Sequence, residues 1–148
     1  MNAASIKTFV DGVSNFFNRL GPEAVSIGVP YIKDAGSYLG EITGIIGLTG
    51  ARKGGILITC SYGMIDLISA AYTGTSDASS AARIDMIGEL ANTISGNASD
   101  AFGTDFQISV PVVITGKPEG INLPTRLPTY IIPLQWRGEN AHLVVGIE

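Results

Sequence analysis

"GELANTISGNA", residues 88–98, places a glutamate and an asparagine three positions apart within a segment whose apolar residues recur at helical spacing. That spacing predicts an amphipathic helix from Ile84 to Phe102 with one broad apolar face. The face consists of Ile84, Ile87, Leu90, Ala91, Ile94, Ala98 and Ala101. We expect this face to pack on a β-sheet.

Polar side chains are predicted to project together from the opposite side of the same helix. At about 100° per residue, four positions fall within a narrow arc. They are Asp85, Glu89, Asn92 and Gly96. Gly88, Ser95 and Gly96 are small, which leaves room for a partner to approach the glutamate and asparagine head groups.

This polar arc has two interpretations. Every amphipathic helix carries polar residues opposite its apolar stripe, so the arc is consistent with an ordinary solvated surface. Solvated helices commonly carry Glu and Lys in i, i+4 pairs, whereas this arc has no cation and holds two carboxylates four residues apart. That difference favours a site for a positively charged partner.

The N-terminal segment predicts a second long helix followed by an irregular strand. Apolar residues between Ile6 and Leu20 recur at steps of three and four, and Gly21 ends the stripe. "VSIGVPYI", residues 25–32, contains a proline, which confines it to an edge strand or an irregular one.

The middle of the chain predicts a hairpin and a short helix. "GEITGIIGLTG", residues 40–50, and "GILITCS", residues 55–61, are β-rich runs around a short glycine-containing turn. "YGMIDLISAAYTG", residues 62–74, predicts a short helix closed by Gly74. "TSDASS", residues 75–80, supplies a polar connector with good capping residues.

Beyond Gly103 the pattern becomes β-rich, with Pro/Gly loops such as "KPEGINLP", residues 117–124. The three β-rich runs are "FQISVPVVITG" (106–116), "TYIIPLQWRG" (129–138) and "AHLVVGIE" (141–148). Strands that follow strands favour an α+β fold, here a largely antiparallel sheet with two long amphipathic helices packed on it. We expect residues 1–148 to form a single domain.

Composition narrows the possible partners and the compartment. Charged residues make up 15% of the chain and hydrophobic residues 45%, so some apolar surface is expected to be buried against a second subunit. With nine scattered Lys and Arg and a net charge of −4, nucleic acid is not an expected partner. The sequence has neither an apolar stretch of about 18 residues nor a secretory signal, so we expect a cytoplasmic protein that does not enter a membrane.

Several residue types that often carry chemistry have structural explanations here. Cys60 lies in an apolar run and is expected to be a buried thiol. His142, the single histidine, has no ligand cluster near it and suits the edge or surface of a strand. Trp136 suits a core or an interface. The glycines at positions 40, 44, 47 and 50 are expected to allow close sheet packing or bulges rather than to bind a phosphate.

The helix motif "DMIGELANTISGNA", residues 85–98, has the spacing D-xxx-E-xx-N and resembles the signature helix of the CheC/CheX/FliY family of chemotaxis phosphatases, in particular its single-site CheX branch. "GEITGIIGLTG", "FQISVPVVITG" and "LPTYIIPL" are similar to that branch in order and spacing, so the resemblance covers roughly residues 5 to 147. "KTFVDGVSNFF", residues 7–17, lacks the E-xx-N spacing, which implies one site per chain.

The resemblance implies hydrolysis of the aspartyl phosphate on a CheY-like response regulator. It assigns two catalytic positions: Glu89 pairs with a lysine of the regulator, and Asn92 orients the attacking water. From their positions on the polar arc, Asp85, Glu89 and Gly96 are predicted to form the partner-binding surface, and the resemblance implies that Asp85 acts in recognition rather than chemistry. The resemblance implies no metal or cofactor of the chain's own, because the regulator supplies Mg²⁺. It also implies a homodimer joined through the sheet.

Two other functions remain open at the level of sequence. A non-catalytic scaffold could recognise a response regulator through the same acidic helix, and only phosphate turnover distinguishes it from an enzyme. A small-ligand-binding domain would need a cluster of convergent polar residues, which the sequence lacks. The sequence does not identify the regulator, its pathway or any further protein that modulates activity.

Overall fold

The hairpin predicted in the middle of the chain lies at the centre of the sheet. β3 (Ile42–Gly50) pairs antiparallel with β4 (Gly54–Cys60) in a register that places Gly44 opposite Ile58. Gly50 ends β3 with a φ of 104°, a left-handed conformation that favours glycine. The alternation of residues along both strands directs one set toward the helices and the other toward the opposite face.

The computed structural model describes residues 3–32, 38–103, 106–121 and 128–148. Within these ranges the helices are α1 (Ala3–Leu20), α2 (Tyr62–Thr73) and α3 (Ser80–Phe102). The remaining strands are β1 (Ser26–Ile27), β2 (Tyr31–Ile32), β5 (Phe106–Ile108), β6 (Val112–Thr115), β7 (Tyr130–Trp136) and β8 (Glu139–Ile147). The predicted order of helix, strands, short helix, long helix and strands is confirmed.

All strand pairs among the described residues are antiparallel. The sheet has the order β1-β7-β8-β4-β3-β5, while β2 also pairs with β7 and β6 also pairs with β3. The β7–β8 hairpin turns at Arg137 and Gly138, whose φ angles of 50° and 79° fit the tight turns that join twisted antiparallel strands. The predicted α+β class with a largely antiparallel sheet is therefore confirmed.

One sequence prediction about the strands is confirmed and a second needs refinement. "VSIGVPYI" forms the two short edge strands β1 and β2, as its proline predicted. "FQISVPVVITG" is not one strand, because residues 109–111 separate β5 from β6 and Pro111 has no N–H for the sheet. The loop predicted over residues 117–124 lies partly outside the described residues.

The main core lies between the helices and one face of the sheet. α1 packs onto β7, where the rings of Phe17 and Trp136 have centroids 5.2 Å apart. The Trp136 indole N–H donates to the carbonyl oxygen of Glu23 at 3.1 Å, which satisfies the polar atom of this buried side chain. α1 and α3 are the two long amphipathic helices expected from the sequence.

A smaller apolar cluster lies on the opposite face of the sheet. It consists of Tyr38, Leu39, Leu57, Ile131 and Val144. The hydroxyls of Thr43 and Thr59 lie 2.9 Å apart and fully buried, and the Gly40 backbone N–H donates to Thr59 Oγ1 at 2.8 Å. The central strands are thus covered on both faces.

Helix α3 crosses the sheet at Gly44. A Cβ at this position would lie 3.1 Å from the carbonyl oxygen of Ile87 and 3.3 Å from Cβ of Ala91. Both distances are shorter than ordinary van der Waals contacts, so glycine is what allows the helix backbone to approach the strand. The prediction of close packing is confirmed here.

Gly44→Ala should reduce the free energy of unfolding by about 1 to 2 kcal/mol, because the added methyl group forces α3 away from the sheet. Urea unfolding followed by circular dichroism would measure the change. Gly47→Ala in the same strand is the matched control, since a Cβ there would lie 3.6 Å from the Ser109 hydroxyl. Equal stability of the two variants would show that the crossing does not require glycine.

Candidate functional site

Helix α3 carries the predicted polar arc, and its first turns are held in place by a helix cap and by contacts with α2. Ser79 caps the helix by accepting a hydrogen bond from the Ala82 N–H at 3.2 Å. Arg83 forms a bidentate ion pair with Asp66 of α2, with N–O distances of 2.9 and 2.8 Å. The guanidinium also lies over the ring of Tyr62, 4.3 Å from its centroid. These contacts set the position of α3 relative to α2.

The four arc positions lie on the outer side of α3. Asp85, Glu89 and Asn92 are exposed, and Gly96 is partly exposed. A Cβ at Gly96 would meet no atom within 4 Å, so open space surrounds that position. Because one rigid helix carries all four positions, their spacing does not depend on a loop conformation.

The margins of the two helix faces differ from the sequence prediction. Ser95 is fully buried, so it does not lie beside the arc as expected. Ile84 is 39% exposed and Ala101 is also exposed, although both were assigned to the packed face. The buried side spans about half of the helix circumference, because α1 and α2 as well as the sheet cover α3.

Tyr72 of α2 contacts the arc and was not identified from the sequence. Its hydroxyl donates to Glu89 Oε1 at 3.4 Å, and Thr93 Oγ1 donates to the same oxygen at 3.4 Å. The ring of Tyr72 stacks on Phe16 of α1, with centroids 6.3 Å apart and planes inclined by 11°. Seventeen positions separate Tyr72 from Glu89, so helical periodicity carries no signal of this contact.

A groove of about 430 Å³ lies between the end of α2, the connector and the first turns of α3. Its lining includes the carboxylates Asp77, Asp85 and Glu89, and the described residues that line it include no Lys or Arg. The Ser79 backbone N–H donates to Asp77 at 2.9 Å, which lowers the pKa of that carboxyl. A second groove of about 260 Å³ on the other side of Tyr72 is bordered by Glu89, Thr93 and Arg19.

Other side chains that could take part in a reaction or bind a metal lie away from this surface. Cys60 is buried as predicted, and burial raises the pKa of its thiol to about 12. His142 is not at an edge, because β8 lies between β7 and β4; it is partly buried, which lowers its pKa. Among the described residues, no group of three or more His, Cys, Asp or Glu is placed to hold a metal ion.

None of the described helices is both long and apolar enough to cross a bilayer.

Solved structures with this fold define the class of protein. A CheC-like superfamily protein from Shewanella sp. PV-4 has a TM-score of 0.88 and 26% identity, with 100% of this chain and 99% of that chain covered. The chemotaxis protein CheX from Vibrio vulnificus has the same TM-score and identity, covering 99% of this chain and 100% of that one. The fold is thus that of CheC-like chemotaxis proteins.

The sequence model of the family described as "Chemotaxis phosphatase CheX" matches residues 42–135. The chain belongs to this family, as the resemblance of its helix motif indicated. No curated protein sequence matches it. The fold is shared with the CheX of a CheX–CheY–BeF3–Mg²⁺ complex from Borrelia burgdorferi, at a TM-score of 0.79 and 22% identity, with 97% of each chain covered.

Proposed function

We propose that this chain hydrolyses the aspartyl phosphate of a CheY-like response regulator. The observation that carries the proposal is the exposed pair Glu89 and Asn92, one helical turn apart on a fixed helix in a member of the chemotaxis phosphatase family. The acidic groove beside the pair is suited to a basic partner surface. In this proposal residues 1–148 form one domain with one site.

Asn92 orients the water that attacks the phosphorus atom. Phosphoryl transfer to water passes through a loose transition state, so positioning and charge stabilisation matter more than abstraction of a proton. The side-chain amide offers one acceptor and two donors and has no charge to repel the phosphoryl oxygens. An exposed amide on a rigid helix can reach into the regulator's active site without a change in fold.

Glu89 forms an ion pair with a lysine next to the phosphorylated aspartate, which docks the helix and places Asn92. Asp85 lies one turn earlier and adds to the negative surface that the basic partner meets. Gly96 lies at the other end of the arc, where the absence of a side chain lets the partner's surface approach. Asp85 and Gly96 therefore serve recognition.

The regulator supplies the Mg²⁺ that neutralises charge on the phosphoryl group, and the chain contributes no metal of its own. The complex from Borrelia burgdorferi contains CheY, BeF3 and Mg²⁺, and the CheX in it has the present fold. That complex supports a CheY-like partner with bound Mg²⁺ for this chain.

We also propose a homodimer joined through the sheet. Both sheet edges carry exposed apolar side chains: Val29 and Ile32 lie at the edge formed by β1 and β2, and Val110 and Val112 lie at the edge formed by β5 and β6. Pairing of such edges would remove apolar surface and unpaired backbone groups from water.

Light scattering at micromolar concentration should give twice the chain mass, and a strict monomer would contradict the proposal.

Asn92→Ala should reduce the rate of phosphate release by about 10² to 10³, the usual cost of removing one positioning group. The measurement is release of inorganic phosphate from CheY-like regulators of the same organism, phosphorylated with a small phosphodonor in the presence of Mg²⁺. Asn140→Ala, an exposed position on β8, is the matched control and should retain the wild-type rate.

Three outcomes of this assay are informative. Near-normal rates with Asn92→Ala would refute the role of that residue. Binding of a phosphorylated regulator without acceleration by the wild type would favour the scaffold function. An absence of both binding and acceleration for every regulator would refute the proposed function itself.

Glu89→Lys should abolish measurable affinity for the phosphorylated regulator, because it replaces an attraction to the regulator's lysine by a repulsion. Titration of a fluorescently labelled, beryllofluoride-activated regulator would measure the dissociation constant. Glu119→Lys makes the same charge change at an exposed position in the loop after β6 and should bind like the wild type. Unchanged binding by Glu89→Lys would count against the docking role.

A further inference from the structure

We infer that Tyr72, with Thr93, is a positioning residue that holds the Glu89 carboxylate in its docking orientation before the regulator arrives. This inference rests on the proposed function and concerns the same site. Its basis is that two hydroxyls from different helices donate to one oxygen of Glu89.

Both hydroxyls bind the same carboxylate oxygen, Oε1, at 3.4 Å. None of the described residues forms a hydrogen bond or an ion pair with Oε2. A carboxylate has acceptor sites on each of its two oxygens. Tyr72 and Thr93 thus occupy one oxygen, while the other remains available to the ammonium group of a partner lysine.

The orientation of Tyr72 is itself fixed by packing. Its ring stacks on Phe16, whose side chain is 3% exposed, although Tyr72 is 52% exposed. α2 ends one residue later, at Thr73, and Gly74 closes the helix with a φ of 77° and an N–H that donates to Ala70 O at 2.9 Å. Tyr72 therefore connects the docking carboxylate of α3 to both other helices.

A fixed carboxylate binds a partner better than a mobile one, because less side-chain freedom is lost on association. At 3.4 Å both contacts are longer than the usual O–H···O distance of about 2.7–2.8 Å, so each contact is weak by itself and the two act together on one oxygen. Their contribution is thus to regulator affinity, whereas the chemical step depends on Asn92.

Tyr72→Phe removes only the hydroxyl and retains the ring that stacks on Phe16. It should raise KM for the phosphorylated regulator about three- to tenfold and leave kcat within about twofold, since one hydrogen bond to a charged group is lost. Thr93→Val should act in the same direction, and Thr93→Ser, which keeps the hydroxyl, should retain the wild-type KM. Tyr130→Phe makes the same atomic change in β7 and is the matched control.

A double-mutant cycle separates positioning from a general effect on structure. In a Glu89→Ala background there is no carboxylate to orient, so Tyr72→Phe should produce no further change in the dissociation constant of the beryllofluoride-activated regulator. Thermal unfolding of each variant shows whether the fold is intact. Additive effects of the two substitutions, or a loss in kcat with unchanged KM, would overturn the inference.

The wild type and Asn92→Ala, assayed in parallel, distinguish failure of this inference from failure of the proposed function. If the wild type accelerates phosphate release, Asn92→Ala abolishes that acceleration and Tyr72→Phe equals the wild type, the positioning role alone is wrong. If the wild type accelerates the reaction of none of the regulators, the proposed function is wrong and this inference fails with it.

Discussion

The close approach of α3 to β3 at Gly44 is the contact on which the rest of the structure depends. It places the backbone of the helix against the central hairpin, where the carbonyl oxygen of Ile87 lies 3.1 Å from the position of an added Cβ. Helix α2 is tied to α3 by the ion pair of Arg83 with Asp66, and α1 packs on both. Because α3 packs this closely on the sheet, its rotation about its own axis is fixed. That rotation determines which of its side chains are exposed to solvent.

The same contact explains why α3 has one buried side and one exposed side. Residues on its inner half are buried in the main core, whereas Asp85, Glu89 and Asn92 lie on the exposed half. Removing an exposed side chain leaves no cavity, so the positions proposed for docking and catalysis contribute little to stability. The helix can therefore carry two neighbouring carboxylates and an asparagine on its exposed half. Of these three side chains, Glu89 accepts hydrogen bonds from Tyr72 and Thr93.

Much of this arrangement could be predicted from local patterns. A helical period of apolar residues identified α1 and α3, β-branched runs around glycines identified the β3–β4 hairpin, and the D-xxx-E-xx-N spacing identified the family. Predictions from local patterns were wrong where the burial of a residue depends on elements that are distant in sequence and close in the fold. Ser95 is buried because neighbouring elements cover that flank of the helix, whereas Ile84 is 39% exposed although the helical period assigns it to the packed face. The contact between Tyr72 and Glu89 depends on how α2 and α3 pack, which no sequence period records.

The turn between α2 and α3 has a consequence for how such proteins diversify. Residues 74–79 connect two helices whose relative position is already fixed by an ion pair and by shared packing, and most of the connector is exposed. Between the two caps Gly74 and Ser79, insertions and substitutions at the exposed residues 75–78 are tolerated with little loss of stability. Because Asp77 also borders the acidic groove, changes in this short segment would reshape the rim of the binding surface while Glu89 and Asn92 stay in place. Partner choice and catalytic geometry can thus evolve on separate parts of the chain.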